Sequence, residues 1–291
     1  MNLLVFGLGF SGKYFAERRI ARGDSVSGTV RSREKAQALS AAGIAAHVFG
    51  PDGGDSAIDA DLAATEALLI SVPPGSSGDP VLAAYARQIA AAPNVRWIGY
   101  LSTIGVYGDH GGAWVDEQTP ATPANARSRE RADTEQAWLA FGAANNIAVQ
   151  IFRLAGIYGP GQSQLVQLAR GTARRIVKPG QVFNRIHVED IARALDASLE
   201  RPRAGAIYNV TDNEPAPPQD VVTYAVKLCG VAPPPEISLD DAGLTEMGRS
   251  FYAESKRVRN DLLRSELGVT LAYPTYREGL AALRAAGEGP R

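Results

Sequence analysis

Asn2-Leu3-Leu4-Val5-Phe6-Gly7-Leu8-Gly9-Phe10-Ser11-Gly12 opens the chain, and its reading decides the fold. The apolar run stops at Gly7, which predicts a short buried strand over Asn2–Phe6. Gly7, Gly9 and Gly12 stand in GxGxxG spacing directly after that strand, and a helix is expected from about Ser11 to Arg22. Gly7 permits a tight turn, Gly9 lets the backbone approach a pyrophosphate, and Gly12 lets helix and strand pack closely. The first helical residues, Phe10 and Ser11 among them, offer free N–H donors and a partial positive charge. A lone GxGxxG is a weak signal. Between a strand and a helix at the start of a βαβ unit it becomes a strong one, against the rival reading of a Gly-rich turn without ligand.

Outward from this turn the pattern alternates. Strands are expected at Ser25–Val30, Ile44–Phe49, Ala67–Val72, Val95–Ser102 and Ile147–Leu154, and helices at Arg33–Ala42, Pro80–Ala92 and Ala126–Asn145. Apolar strands alternating with helices imply an α/β fold, a Rossmann-type doubly wound parallel sheet covered on both faces. Further on, a helix at Val188–Leu199 and a strand at Ala206–Val210 follow a Gly-rich, basic stretch. The Pro-rich run Ala232–Glu236 reads as a linker into a small lobe with helices near Ser255–Leu267 and Thr275–Ala286. The expected organisation is a dinucleotide-binding domain over 1–155 and 186–231, and a small C-terminal substrate lobe over 156–185 and 232–291.

The 291 residues carry 30 Lys and Arg against 31 Asp and Glu. That balance argues against a nucleic-acid or anionic-membrane partner for the whole protein. One cysteine, Cys229, forms no intrachain disulfide, and three scattered histidines make no zinc-ligand spacing, so no metal is expected. No run approaches the ~20 apolar residues of a membrane helix, and no leader is read at Leu3–Phe6. The expectation is a soluble cytoplasmic protein.

The end of the second strand bears on the cofactor. A dinucleotide site for NAD places a carboxylate about 20 residues after the glycines. Here Gly28-Thr29-Val30-Arg31-Ser32-Arg33 holds none. Arg31, with Ser32 beside it, suits the 2′-phosphate of NADP, which a carboxylate would repel. The reading favours NADP over NAD; the alternative is a solvated basic helix start. Ser71-Val72-Pro73-Pro74 ends the fourth strand beside the expected cofactor path, where its backbone either lines the ribose-nicotinamide channel or serves only as a turn.

Four further motifs follow in order: Ser102-Thr103-Ile104-Gly105-Val106-Tyr107-Gly108, Phe152-Arg153-Leu154-Ala155-Gly156-Ile157-Tyr158-Gly159-Pro160-Gly161, Ile186-His187-Val188-Glu189-Asp190-Ile191-Ala192 and Ile207-Tyr208-Asn209-Val210. With the glycine turn they resemble the extended short-chain dehydrogenase/reductases, the NAD-dependent epimerase/dehydratase group that acts largely on nucleotide sugars. The resemblance covers about residues 1–230, and more loosely 256–279. Phe6 stands where that group's first glycine would be. The resemblance implies a Ser/Thr after the fifth strand, matched by Thr103, and a Tyr-x-x-x-Lys on the next helix, with Tyr as acid/base. Aligning Glu135 with the group's acidic residue puts Arg127 at the Tyr position and Arg131 at the Lys position. No tyrosine lies between Gly108 and Tyr158 to serve instead. Arginine stays protonated and cannot relay a proton, so the chain reads as an atypical member; Arg131 still suits the cofactor's ribose. Arg127, Arg131 and Glu135 alternatively form an exposed salt-bridged helix face.

Thr103 and Tyr107 are the catalytic candidates. Tyr158 and His187 are weaker ones that more often serve structure. The resemblance also implies dimerisation through Pro80–Ala92, with Leu82, Tyr85, Ala86 and Ile89, and Ala126–Asn145, with Trp138 and Phe141; these positions serve either a homodimer or the core. Two functions stay open: an NADP-dependent oxidoreductase or epimerase-like enzyme on a nucleotide sugar or small carbonyl substrate, and a non-catalytic NADP(H)-binding redox sensor.

Overall fold

The computed structural model describes residues 1–50 and 53–290. The chain divides into two compact units, the first made of Met1–Thr103, Ala126–Arg153 and Ala192–Tyr208, the second of Ile104–Asn125, Leu154–Ile191 and Asn209–Arg291. These units draw the chain differently from the boundaries read off the sequence, since 104–125, 154–155, 186–191 and 209–231 join the second.

The first unit begins β1 (Asn2–Phe6), α1 (Phe10–Ile20), β2 (Ser25–Val30), α2 (Arg33–Ala41), β3 (Ala45–Gly50), β4 (Gly53–Gly54), α3 (Ala57–Ala64), β5 (Ala67–Ile70), α4 (Pro80–Ala91) and β6 (Trp97–Thr103). The second contributes β7 (Trp114–Val115) before the chain returns to the first with α5 (Ala126–Asn145) and β8 (Ala148–Leu154). The remaining elements are β9 (Gly156–Tyr158), α6 (Gln164–Ala169), β10 (Arg175–Val177), β11 (Arg185–His187), α7 (Val188–Glu200), β12 (Ile207–Val210), α8 (Pro218–Cys229), β13 (Glu236–Ser238), α9 (Glu246–Tyr252), β14 (Arg257–Val258), α10 (Asp261–Ser265) and α11 (Tyr276–Ala285).

Eight strands form one sheet in the order β12-β8-β6-β5-β1-β2-β3-β4. β2 and β5 flank β1 in parallel, β3 joins β2 and β6 joins β5 in parallel, and only the short β4 is antiparallel to its neighbour β3 among these registered pairs. This is the mostly parallel, Rossmann-type sheet expected from the alternating apolar strands. From β1 the chain builds outward through β2 and β3, then returns to the other side of β1 as β5. That reversal places a topological switch point between β1 and β5, where open sheets of this kind hold ligands. Leu68, Ile70, Ile98 and Tyr100 are fully buried and pack with Tyr85, Ile89 and Trp138 from α4 and α5. Leu82 and Phe141 pack against this core.

The second unit has its own core, in which Tyr158, Leu165, Val221, Tyr276 and Leu280 join α6, α8 and α11. Its 104–125 segment is tied by β7–β14 pairing and by bonds from the buried Lys256 ammonium to the Gly108 carbonyl and the Glu254 carboxylate. No helix among the described residues is long and apolar enough to cross a membrane. No group of three or more His, Cys, Asp or Glu among them is placed to hold a metal ion.

Candidate dinucleotide site

Glycine geometry builds the turn between β1 and α1. Gly7 adopts φ +100°, a left-handed conformation that L side chains rarely take. A Cβ there would also stand 3.1 Å from the Val72 nitrogen. Gly12 sits so close to the turn that a Cβ would run into the Gly7 carbonyl oxygen. Gly9 is the opposite case: it is exposed, and nothing lies within 4 Å of where its Cβ would be. It is the N-cap of α1, and no side chain caps that end. The uncapped start of a helix leaves N–H groups to be satisfied by water or by a ligand. Phe10 is half-buried there, while Ser11 and Gly12 are buried.

Two residues that sequence reasoning passed over hold this turn. The Thr29 hydroxyl accepts from Gly7 N at 3.0 Å, and its carbonyl accepts from Leu8 N at 2.7 Å. At Gly28 a Cβ would come within 2.8 Å of the Leu8 side chain and the Val5 carbonyl oxygen. The signal was a glycine interrupting an apolar strand, which often marks close backbone approach.

Across the switch point, Ser71 N donates to the Phe6 carbonyl at 2.8 Å, and Val72 stands against Gly7. Ser71 and Val72 are half-buried and Pro73 is exposed. The structure thus brings the glycine turn and Ser71–Val72 together. At the end of β2, Arg31 and Ser32 are both exposed. The Ser32 hydroxyl caps α2 by accepting from Lys35 N at 3.3 Å. Arg31 has no hydrogen-bond or ion-pair partner among the described residues.

At the end of β6, Thr103 is half-buried and Ser102 turns inward. The Ser102 hydroxyl donates to Glu135 of α5, and Arg153 of β8 grips the same carboxylate through two nitrogens at 2.7 and 3.1 Å. All three side chains are buried. Arg131 stands beside them: it donates to the Leu101 carbonyl at 2.5 Å and lies 5.8 Å from the Tyr100 ring centre. Burial pushes the Tyr100 phenol up to about 12, against the pull of Arg131. β5 ends opposite Tyr100, so Arg131 closes the carboxyl end of the β5–β6 ladder. The helix face carrying Arg127, Arg131 and Glu135 is not one salt-bridged surface. Arg127 is exposed, Arg131 is half-buried, and Glu135 is sealed with Arg153.

Tyr107 departs from its catalytic assignment. It lies in the second unit, fully buried, with its hydroxyl donating to Asn209 Oδ1 at 2.8 Å. A phenol committed in this way anchors the 104–125 segment and is not presented to a substrate. Tyr158 and His187 are buried in the same unit, their rings packed edge to face 5.1 Å apart. Burial pushes the Tyr158 phenol up and His187 down to about 4.

The comparisons with known proteins agree with this geometry. Residues 79–211 match the model of the NAD dependent epimerase/dehydratase family. The protein YeeZ of Escherichia coli K12 is 30% identical over 293 residues, spanning 94% of this chain and 96% of YeeZ. A functionally unknown conserved protein from Silicibacter pomeroyi DSS is 50% identical and superimposes with a TM-score of 0.88 over 98% of this chain and 99% of its own. The dTDP-glucose 4,6-dehydratase of Bacillus anthracis, solved with NAD, shares the fold at 19% identity, with a TM-score of 0.78 over 99% of this chain and 97% of that one. By its glycine turn, its parallel sheet and these likenesses, the chain belongs to the NAD-dependent epimerase/dehydratase family.

Proposed function

We propose that the chain is an NADP-dependent oxidoreductase or epimerase-like enzyme acting on a nucleotide sugar or a small carbonyl compound. The observation that carries this reading is the open, uncapped start of α1 at Gly9, facing the switch point of the sheet. The residues present fit a dinucleotide. Gly7, Gly9, Phe10, Ser11 and Gly12 would hold the pyrophosphate, with backbone N–H groups as donors. Arg31 and Ser32 would meet the 2′-phosphate, Ser71, Val72 and Pro73 would line the path to the nicotinamide, and Arg131 would donate to its ribose. When bound, the dinucleotide supplies or takes up a hydride. Thr103, at the end of β6, would donate a hydrogen bond to a substrate oxygen. NAD in the Bacillus anthracis dehydratase supports a nicotinamide dinucleotide; the preference for NADP rests on Arg31 alone.

Calorimetric titration of NADPH and NADH tests the preference. A hydrogen bond to a charged group contributes roughly 1.5–3 kcal/mol, so Arg31→Ala should weaken NADPH about 10- to 150-fold and leave NADH nearly unchanged. Equal losses for both cofactors would sink the assignment. One observation favours a second reading, a non-catalytic NADP(H)-binding redox sensor: the Tyr107 phenol is buried on Asn209. Multiple turnover on a carbonyl and nucleotide-sugar panel, followed both as NADPH oxidation and as epimerised product with no net change in the cofactor, separates the two, since a sensor binds the cofactor without turnover.

A further inference from the structure

α5 runs down the face of β8 in a register fixed at two points. Glu135 is bonded to Arg153 near the carboxyl end of that strand, and Gly142, seven residues on, packs against Val149 near its start. The N-terminal turns of α5 therefore rise past the carboxyl edge of the sheet. Arg131, one turn before Glu135, already caps the end of the β5–β6 ladder through the Leu101 carbonyl. Arg127 lies four residues further up, about 6 Å along the axis and on the same face. It therefore stands beyond the strand ends, over the edge where sheets of this class hold ligands.

The two arginines differ in what they are tied to. Arg131 is held by a carbonyl and an aromatic ring. Arg127 is exposed, with no hydrogen-bond or ion-pair partner among the described residues. Glu130, the carboxylate nearest to it along the helix, makes no ion pair with it either. The carboxylate behind this edge, Glu135, is consumed by Arg153. A guanidinium stays charged and has only donors. Its function at such an edge is to hold negative charge, and its planar fork matches a carboxylate or a phosphate.

We infer that Arg127 is a specificity residue that holds an anionic group of the substrate, a carboxylate or a phosphate monoester, above the edge where β6 ends in Thr103. The inference rests on the dinucleotide reading of the first unit. It selects small anionic carbonyl compounds from the broader class proposed above.

Calorimetry on the full chain saturated with NADP+ tests it with two matched pairs: pyruvate against pyruvamide, and dihydroxyacetone phosphate against dihydroxyacetone. One anion is expected to bind at least tenfold more tightly than its neutral partner, and the pair that shows this identifies carboxylate or phosphate as the group. Arg127→Gln should remove that preference, and Arg127→Lys should keep part of it. Arg129→Gln, the same charge change on the other side of the helix, should behave as wild type. NADP+ affinity, titrated separately, should be equal in all four proteins. An Arg127→Gln protein that keeps the preference overturns the inference, as does an equal loss in Arg129→Gln, which would mean bulk charge attraction. A wild type in which neither anion exceeds its neutral partner overturns it too, while the cofactor titration leaves the dinucleotide reading standing. Failure of wild type to bind NADP+ at all overturns both.

Discussion

Side chains placed at Gly9 and at Gly12 would meet opposite fates, although both glycines belong to one motif. Gly9 has an ordinary negative φ of −79° and open space where a Cβ would go. Gly9→Val should therefore leave the fold intact and put its methyl groups where a pyrophosphate must approach. Circular dichroism should show a melting temperature within a few degrees of wild type, and calorimetry should show dinucleotide binding lost. Unaltered binding to the folded variant would remove the turn from the site. At Gly12 a Cβ meets the Gly7 carbonyl oxygen, which is backbone and cannot step aside. Gly12→Ala should thus lower the melting temperature itself, with cofactor affinity falling as a consequence of a distorted turn. The pair separates a glycine needed by the ligand from a glycine needed by the fold.

The element that carries most of the site's support is α5, through the buried set Ser102, Glu135 and Arg153. Removing one partner of a buried ion pair leaves an uncompensated charge, which typically costs about 3–5 kcal/mol. Glu135→Ala should lose stability on that scale in urea denaturation. Glu135→Met combined with Arg153→Met should recover most of it, because no charge is then stranded; a double variant as unstable as the single one would refute this account. The sequence exposed the glycine turn and Ser71–Val72 because strand, turn and helix follow one another locally. It did not expose Glu135 and Arg153 as a pair, nor the Tyr107–Asn209 bond, because each joins segments that only the fold brings together. The same distinction explains the elements. Ser255–Leu267 looked helical, yet only Asp261–Ser265 is, because Arg257–Val258 pairs with Trp114–Val115 instead. The expected linker Ala232–Glu236 ends in β13, which finds its partner in β10 some sixty residues earlier. Pro218–Cys229 went unread as a helix although proline at its start is well suited to that position.

At the scale of the whole molecule, two buried groups of the second unit set how stability depends on pH, with opposite signs. His187 is packed between the rings of Tyr158 and Tyr273, and its Nδ1 accepts from Glu189 N at 3.1 Å. Burial lowers it from 6.5 to about 4, so unfolding takes up a proton between those values and stability rises with pH across them. Asp212 is raised from 3.8 to about 8, chiefly by burial and against the pull of Arg185. Its stabilising contribution is full below the unfolded value and is lost as pH rises towards the folded one. From about pH 4 to 6.5 the two slopes oppose each other. Above 6.5 the rise from His187 is complete, and one proton held by Asp212 over that interval to pH 8 corresponds to about 2 kcal/mol of lost stability. Asp79 of the first unit, also raised by burial, acts in the same direction as Asp212. Thermal melts should therefore show wild type losing stability between pH 6.5 and 8. In Asp212→Asn that loss should shrink, and the His187 rise between pH 4 and 6.5 should emerge. An Asp212→Asn protein whose melting temperatures run parallel to wild type from pH 6.5 to 8 would show that this carboxyl does not keep its proton in the folded unit.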